Sequence, residues 1–362
     1  MADASARVRA FDWLRGLAVL FMVECHSLVL LRPELRAGPR FETLNFINGL
    51  VAPSFIFAAG FSLGLVQIRS ARSGARGPRV RRTLRRIGEV FAVGLLLNVM
   101  WFWFPIRDDA GWLFRVDILL CIAYALLLAL PLAATFALKP KVLGFATLAL
   151  AAVVFFIAPF GERAQGFFAP LLNTRGHSVF PLLPWAGYVF LGISVGVLAA
   201  TQSVRRVQAG LAALAAVGLG LRFLTPSWTF YPPHRFFVND PGDCGARWFW
   251  VCLILIALLE VEQRFAGAWR KSAPVRWVEL FGTSSLSGYF FHESLLYFQI
   301  FGFSFATVWR DRCGWGQYAL LLAAILALTT VLAWGTDKVY RVLDAKTRPA
   351  PTPPPVPAPA AV

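Results

Sequence analysis

The sequence predicts an all-α polytopic membrane protein, a bundle of about ten transmembrane helices with both termini in the cytoplasm. Three observations lead there. Of the 362 residues, 58% are hydrophobic and only 15% are charged, against roughly a quarter charged in an ordinary soluble domain. Apolar stretches recur along nearly the whole chain, and several approach the roughly 20 residues a helix needs to cross the hydrocarbon core. The basic residues behind the net charge of +16 fall in short segments between apolar runs. That distribution marks topology determinants and gives no basic face for nucleic acid.

Helices are expected at about 12–31, 46–68, 87–105, 114–134, 142–159, 180–200, 207–224, 247–263, 284–304 and 317–337, with short connections that make consecutive helices antiparallel neighbours. Arg7 and Arg9 before the first run superficially resemble a signal peptide, but the run carries Arg15, Glu24 and His26 and no small-residue cleavage pattern follows; it reads as a retained helix. The segment 69–86 holds Arg69, Arg72, Arg76, Arg79, Arg81, Arg82, Arg85 and Arg86 with no acidic residue, which fixes it in the cytoplasm. Alternation then places the remaining Lys- and Arg-rich segments inside, and the loops at 32–45, 106–113, 160–179, 225–246 and 305–316 outside. Trp101, Trp103, Trp112, Trp228, Trp248, Trp250, Trp309 and Trp315 cluster near that outer interface, where indoles concentrate.

The expected organisation is a cytoplasmic segment at 1–11, one membrane domain at 12–346 and a disordered Pro/Ala-rich tail at 347–362. The five cysteines show neither CxxC nor metal-ligand spacing, so no metal is expected. Cys244 and Cys313 are read as lying outside the helices, in extracytoplasmic loops, where an oxidising compartment would permit a disulfide.

Ionisable groups inside a bilayer are costly and therefore informative. The first helix carries Asp12, Arg15, Glu24 and His26. Arg15 and His26 are eleven residues apart, almost three whole turns, so they share one face about 16 Å apart, with Asp12 near the same face. Glu24 points roughly the opposite way and must find a partner on another helix. Structural alternatives stand beside each: Asp12 and Arg15 as an interfacial ion pair, His26 as an interhelical hydrogen bond, His292 as packing glue. Helix four opens with Arg115 and Asp117, helix nine carries His292 and Glu293, and Asn98 is a further intramembrane polar group. His177 immediately precedes Phe180-Pro181-Leu182-Leu183-Pro184-Trp185, where two prolines interrupt the start of helix six. Broken backbone at membrane depth tends to line a cavity. Glu24, Asp117, Arg115, Asn98, His177 and Trp185 are accordingly the expected cavity residues. No Walker loop, GxSxG elbow or HExxH is present, which leaves histidine as the available acid–base group.

The segment Phe11-Asp12-Trp13-Leu14-Arg15-Gly16-Leu17-Ala18-Val19-Leu20-Phe21-Met22, followed by His26, resembles the first helix of the family containing heparan-α-glucosaminide N-acetyltransferase and its bacterial relatives. Pro53-Ser54-Phe55-Ile56-Phe57-Ala58-Ala59-Gly60-Phe61-Ser62, Phe180-Pro181-Leu182-Leu183-Pro184-Trp185-Ala186-Gly187-Tyr188 and Ser285-Leu286-Ser287-Gly288-Tyr289-Phe290-Phe291-His292 look like the same family, in the same order. The resemblance implies a multi-pass acyltransferase of the inner (cytoplasmic) membrane, among membrane lipids. It would move an acetyl or other acyl group from cytoplasmic acyl-CoA to an amine or hydroxyl of an extracytoplasmic glycan or glycoconjugate; a homodimer is left open. It also implies a donor site at Arg15 and Asp12. His26 would be the base or transient acyl carrier, and His292 the second-choice base. The lysosomal animal enzyme has its functional histidine in the lumenal loop after the first helix, and residues 32–45 here contain none. The helix-borne histidine of bacterial relatives is therefore the one carried over, without glucosamine specificity. The rival reading is a transporter or lipid-linked glycan flippase using the same charges, and a third is a non-catalytic membrane scaffold.

Overall fold

The structure is a computed structural model and describes residues 8–104, 109–175, 177–265, 268–299 and 301–347. The first seven residues and the tail from 348 lie outside the described residues. The protein is an all-α polytopic membrane protein. Its described elements are helical apart from one isolated bridge between Leu31 and Cys313. Nine of the described helices are long and apolar enough to cross a membrane. We label them α1 (Arg9–Ser27), α2 (Val51–Arg72), α3 (Arg76–Trp103), α4 (Ile118–Thr135), α5 (Pro140–Ile157), α6 (Leu182–Thr201), α7 (Val204–Leu224), α8 (Pro241–Arg264) and, beyond a broken pair, α11 (Trp315–Thr347).

The broken pair includes the helix expected at 284–304. It consists of α9 (Ala273–Thr283), in a segment expected to be a cytoplasmic connection, and α10 (Ser285–Tyr297), which starts where expected and ends earlier; they join at Ser284, whose backbone leaves the helical region. The cause is local: Gly282-Thr283-Ser284-Ser285 combines poor helix formers whose hydroxyls compete for backbone hydrogen bonds. The 13 residues of α10 span about 20 Å.

Three other boundaries move. The arginine-rich segment is not a loop, because α2 continues to Arg72 and α3 begins at Arg76; arginine is a good helix former and extends its charged head to water from the helix end. Residues 39–45, expected in a loop, belong to the helix Pro39–Asn48. Helix α8 starts at Pro241, where the Asp240 side chain accepts from the Gly242 N–H and proline occupies the first turn. That start places Cys244 inside a helix. Cys244 and Cys313 are both free and buried, and they sit in separate apolar clusters, which removes the expected disulfide.

Lipid tails give helices no hydrophobic reason to associate, so close van der Waals packing decides the interior. Helices α2 and α6 carry reciprocal small-residue spacings, Gly60/Gly64 and Gly192/Gly196. The backbone of Val189 lies against Gly60, and that of Phe57 against Gly192. Helix α9 docks on α1 in the same manner, with Gly16 against the Val278 carbonyl and Gly282 against the Asp12 carbonyl. Any side chain at these glycines would collide with backbone.

Candidate functional site

Helix α1 delivers the face expected from its sequence. Near its start, Arg15 Nη2 donates to Ser62 Oγ on α2 at 2.9 Å and Nη1 donates to the Gly282 carbonyl at 3.1 Å. Asp12 Oδ1 lies 4.0 Å from the same guanidinium. The Gly282 carbonyl belongs to the last turn of α9, where helix ends present unsatisfied oxygens and partial negative charge. The break at Ser284 therefore supplies part of the anchor for Arg15.

Three turns further along α1, His26 meets α10. Its Nδ1 is 2.8 Å from His292 Nε2 and 2.8 Å from Glu293 Oε1. The two imidazoles lie nearly parallel, with centroids 5.1 Å apart. His292 Nδ1 is 2.9 Å from the Gly288 carbonyl; a carbonyl can only accept, so this nitrogen carries the hydrogen and Nε2 presents a lone pair. Glu293 Oε2 accepts from Trp101 Nε1 at 3.2 Å. Tyr297 Oη donates to the His26 carbonyl at 3.1 Å. His292 and Glu293 are buried, whereas the His26 side chain is 30% exposed. One ring of the cluster is thus reachable and the other two groups hold it.

An aromatic and cationic wall leads outward from Glu293. The Arg115 guanidinium lies 5.1 Å from the ring centres of both Trp101 and Trp112, a cation–π arrangement. Asn98 fixes this arginine by accepting from its Nε at 3.2 Å and donating to its carbonyl at 2.8 Å. His177 stacks on Trp112 at 4.6 Å, adopts a left-handed φ of 63°, and places Nε2 2.6 Å from Asp109 Oδ2. The Gly111 N–H and then the His177 ring hold the Asp109 carboxyl below its ordinary value. His177, Arg115 and Asn98 thereby join one wall although they come from three segments.

Two expected cavity residues, Glu24 and Trp185, are placed otherwise, and a third, Asp117, takes on a helix-capping role beside the wall. Glu24 turns to the opposite side of α1, where Tyr318 Oη on α11 donates to its Oε1 at 2.6 Å; successive residues on a helix diverge by 100°, so Glu24 and His26 serve different faces. Asp117 caps α4 with one oxygen, accepting from the Leu120 N–H at 2.9 Å, while its other oxygen is buried without a partner and the carboxylate stays within electrostatic reach of Arg115 and Glu293. Trp185 packs with Phe180 and Tyr188 and lies 5.7 Å below the Arg247 guanidinium, with no contact to the histidines among the described residues.

Among the cavities that open toward the end predicted to be cytoplasmic, two border the α1 residues or their partners described above. One, of about 780 Å³, lies between α1, α9 and α11 and mixes Arg9, Arg276 and Lys338 with Asp12, Glu279 and Asp337. The other, of about 300 Å³, lies between α2, α3 and α4 and is lined by Arg79, Arg82 and Arg86 with Ser62 and Thr83, and no acidic group. The Arg79 Nε is buried there without a partner. Charge separates them: the first is internally balanced, whereas in the second Arg86 pairs with Glu89 at 2.9 Å and the lining itself holds no carboxylate. Sequence reading took these arginines only as topology markers; their i, i+3, i+7 spacing, which puts them on one face of a helix, was the available signal.

No curated protein matches the chain. The family described as heparan-alpha-glucosaminide N-acetyltransferase, catalytic, matches residues 7–234, a stretch that includes Arg15, His26, the arginine groove and the Trp101–His177 wall. The chain therefore belongs to the heparan-alpha-glucosaminide N-acetyltransferase catalytic family, a family of membrane acetyltransferases.

Proposed function

We propose that the protein transfers an acetyl or related acyl group from cytoplasmic acyl-CoA to an amine or hydroxyl of an extracytoplasmic glycan or glycoconjugate, with His26 as general base. The observation that carries this reading is the pairing of a reachable His26 with a buried Glu293 at 2.8 Å. Both Glu293 Oε1 and His292 Nε2 offer lone pairs to His26 Nδ1, which favours the tautomer protonated there and leaves Nε2 free to accept a proton. As the acceptor nitrogen or oxygen attacks the thioester carbonyl, Nε2 takes its proton; when the tetrahedral intermediate collapses, the imidazolium returns a proton to the departing thiolate. Glu293 stabilises the imidazolium between these steps and fixes the ring, while His292 is a positioning residue.

The donor is oriented by charge. Phosphates are matched by Arg79, Arg82 and Arg86, and charge-assisted contacts to them are strong. Arg15 is the next cation inward, linked to this groove through Ser62. The stretch from Arg15 to His26, about 16 Å, is left for the thioester arm, with Asp12 holding the guanidinium. The aromatic wall of Trp112, Trp101 and His177 offers flat faces to a sugar ring on the acceptor side. We place the protein in the cytoplasmic membrane.

Membranes containing the protein, incubated with radiolabelled acetyl-CoA, should pass label to a glycan fraction, and His26→Ala should abolish this while acyl-CoA binding persists. Full transfer by the His26→Ala protein would overturn the assignment. The break between α9 and α10 is the feature a transporter would also use; movement of a sugar-linked substrate across vesicles without any labelled product would favour that reading.

A further inference from the structure

We propose that His26, His292 and Glu293 form a binding site for a transition-metal dication of the zinc type, and that an ion held there switches off the base form of His26. The ligand atoms stand 2.8, 2.8 and 3.8 Å apart, and a triangle of these sides has a point about 2.0–2.1 Å from every corner, the length of Zn–N and Zn–O bonds. Two histidines and one carboxylate with a position left open is a ligand set that zinc uses. It is too nitrogen-rich and too small for calcium or magnesium, which require six or more oxygens or retained waters.

Three features of the surroundings point to an ion beyond the mere proximity of the groups. His292 donates Nδ1–H to the Gly288 carbonyl, the second contact by which a ligating histidine has its ring and tautomer fixed. Glu293 has its distal oxygen held by the Trp101 indole, so the ligating oxygen is oriented as well. The proton count is short: His26 Nδ1, His292 Nε2 and Glu293 Oε1 converge with a single hydrogen to share. One buried acceptor is under-served unless a cation takes the common point. The exposed edge of His26 gives the path by which an ion arrives and a water completes its coordination.

Binding has a defined chemical consequence. An ion coordinated by His26 Nδ1 occupies the lone pair there, so the one hydrogen of the neutral ring must reside on Nε2. That nitrogen then becomes an N–H donor and no longer accepts a proton from the acceptor substrate. No proton is gained or lost overall; the ring hydrogen moves from Nδ1 to Nε2 through water. This inhibition rests on the general-base reading above, whereas the binding itself does not. The site escapes motif inspection because His26 and His292 are 266 residues apart.

The test uses the purified full-length chain in detergent. Equilibrium dialysis against Zn²⁺ with elemental analysis should give one ion per chain that is absent from the His26→Gln protein, and Co²⁺ should bind with d–d absorption bands of a low-coordinate site. His292→Gln and Glu293→Gln should each weaken Zn²⁺ at least ten-fold, and Mg²⁺ should not compete. His26→Gln, altered at the most exposed of the three positions, keeps the comparison decidable where a buried variant fails to fold. The same Zn²⁺ titration should remove acyl transfer with the midpoint seen in dialysis, and EDTA should restore it. No stoichiometric ion at tens of micromolar Zn²⁺, or equal binding by wild type and His26→Gln, overturns the site. Stoichiometric, ligand-dependent binding with undiminished transfer leaves the site standing and overturns the inhibition together with the base role of His26.

Discussion

Replacing Glu293 by glutamine separates the orienting role of the carboxylate from its bulk. Glu293 serves two donors at once, His26 Nδ1–H at its Oε1 and Trp101 Nε1–H at its Oε2. Glutamine keeps the shape but has only one oxygen. If the amide nitrogen faces His26, Nδ1 must become the acceptor and the hydrogen moves to the nitrogen needed for catalysis. If it faces Trp101, two N–H groups oppose each other in a buried place, at a cost of about 1–3 kcal/mol for the unmet donors. Either way the productive arrangement is disfavoured by that amount, which predicts a fall of about 5- to 150-fold in kcat/KM. The discriminating measurement is a double-variant cycle with Trp101→Phe, which removes the competing donor and lets the amide oxygen turn to His26. The penalty for Glu293→Gln should shrink in the Trp101→Phe background to the part left by the lost carboxylate charge, read by initial rates of acyl transfer. An equal penalty in both backgrounds would refute the two-donor argument.

The arginine groove predicts that Arg79→Gln with Arg82→Gln raises the KM for acyl-CoA about ten-fold or more, about 1.4 kcal/mol, with kcat nearly unchanged; an unaltered KM would place the donor phosphates elsewhere. At the α2–α6 crossing, Gly192→Ala drives a methyl into the Phe57 backbone and should destabilise by about 1–3 kcal/mol, seen as a lower midpoint of thermal unfolding in detergent. Tyr318→Phe strips Glu24 of its hydroxyl donor in an apolar cluster and should also lower that midpoint, by a comparable amount, without changing the KM for donor. For Asp109 the folded carboxyl lies below its unfolded value, so its contribution is present above the ordinary carboxylate range and disappears as pH falls through the lowered one. Hydrogen exchange of the peptide around Gly111, whose N–H donates to Asp109 Oδ1 at 2.8 Å, should quicken at acid pH relative to the intrinsic rate, and Asp109→Asn should remove that dependence.

The parts of this site that were legible in the sequence are those that depend on one helix. Arg15 and His26 share a face because eleven residues make three turns, and Glu24 leaves it for the same reason; the structure has Arg15 on Ser62, His26 on Glu293 and Glu24 on Tyr318. What needed coordinates are relations between helices. Asp117 looked like a cavity carboxylate because intramembrane acids are costly, yet its side chain accepts from the Leu120 N–H and closes a helix end, a demand that Asp-x-x spacing also satisfies. Trp185 was drawn in by the prolines beside it, and those prolines shape a neighbouring packing cluster instead. The boundary at Ser284 coincides with the expected start of the helix at 284–304; what was not legible is the helix Ala273–Thr283 before it, whose Arg276, close to Arg270 and Lys271, looked like part of a cytoplasmic connection.

The break also explains how two separated levels of the site are kept in register. Arg15 bonds Gly282, and His26 meets His292; from Arg15 to His26 is eleven residues and from Gly282 to His292 is ten. Helix α10 therefore climbs beside α1 in the same direction, Gly288 meeting Val19 and His292 meeting His26, whereas α9 crosses α1 the other way, with Val278 against Gly16 and Gly282 against Asp12. A continuous helix across Ser284 would retain the Gly282 carbonyl for its own ladder and leave Arg15 without that acceptor. With the break in place, the carbonyl that holds the donor-side arginine and the helix that carries His292 and Glu293 start from the same four residues. Displacement of α10 along its axis consequently alters the His26 cluster while α9, wedged by Gly16 and Gly282 against α1, keeps Arg15 in place. Donor anchoring and base orientation are thereby set by two adjoining helices, α9 and α10, that leave the same break.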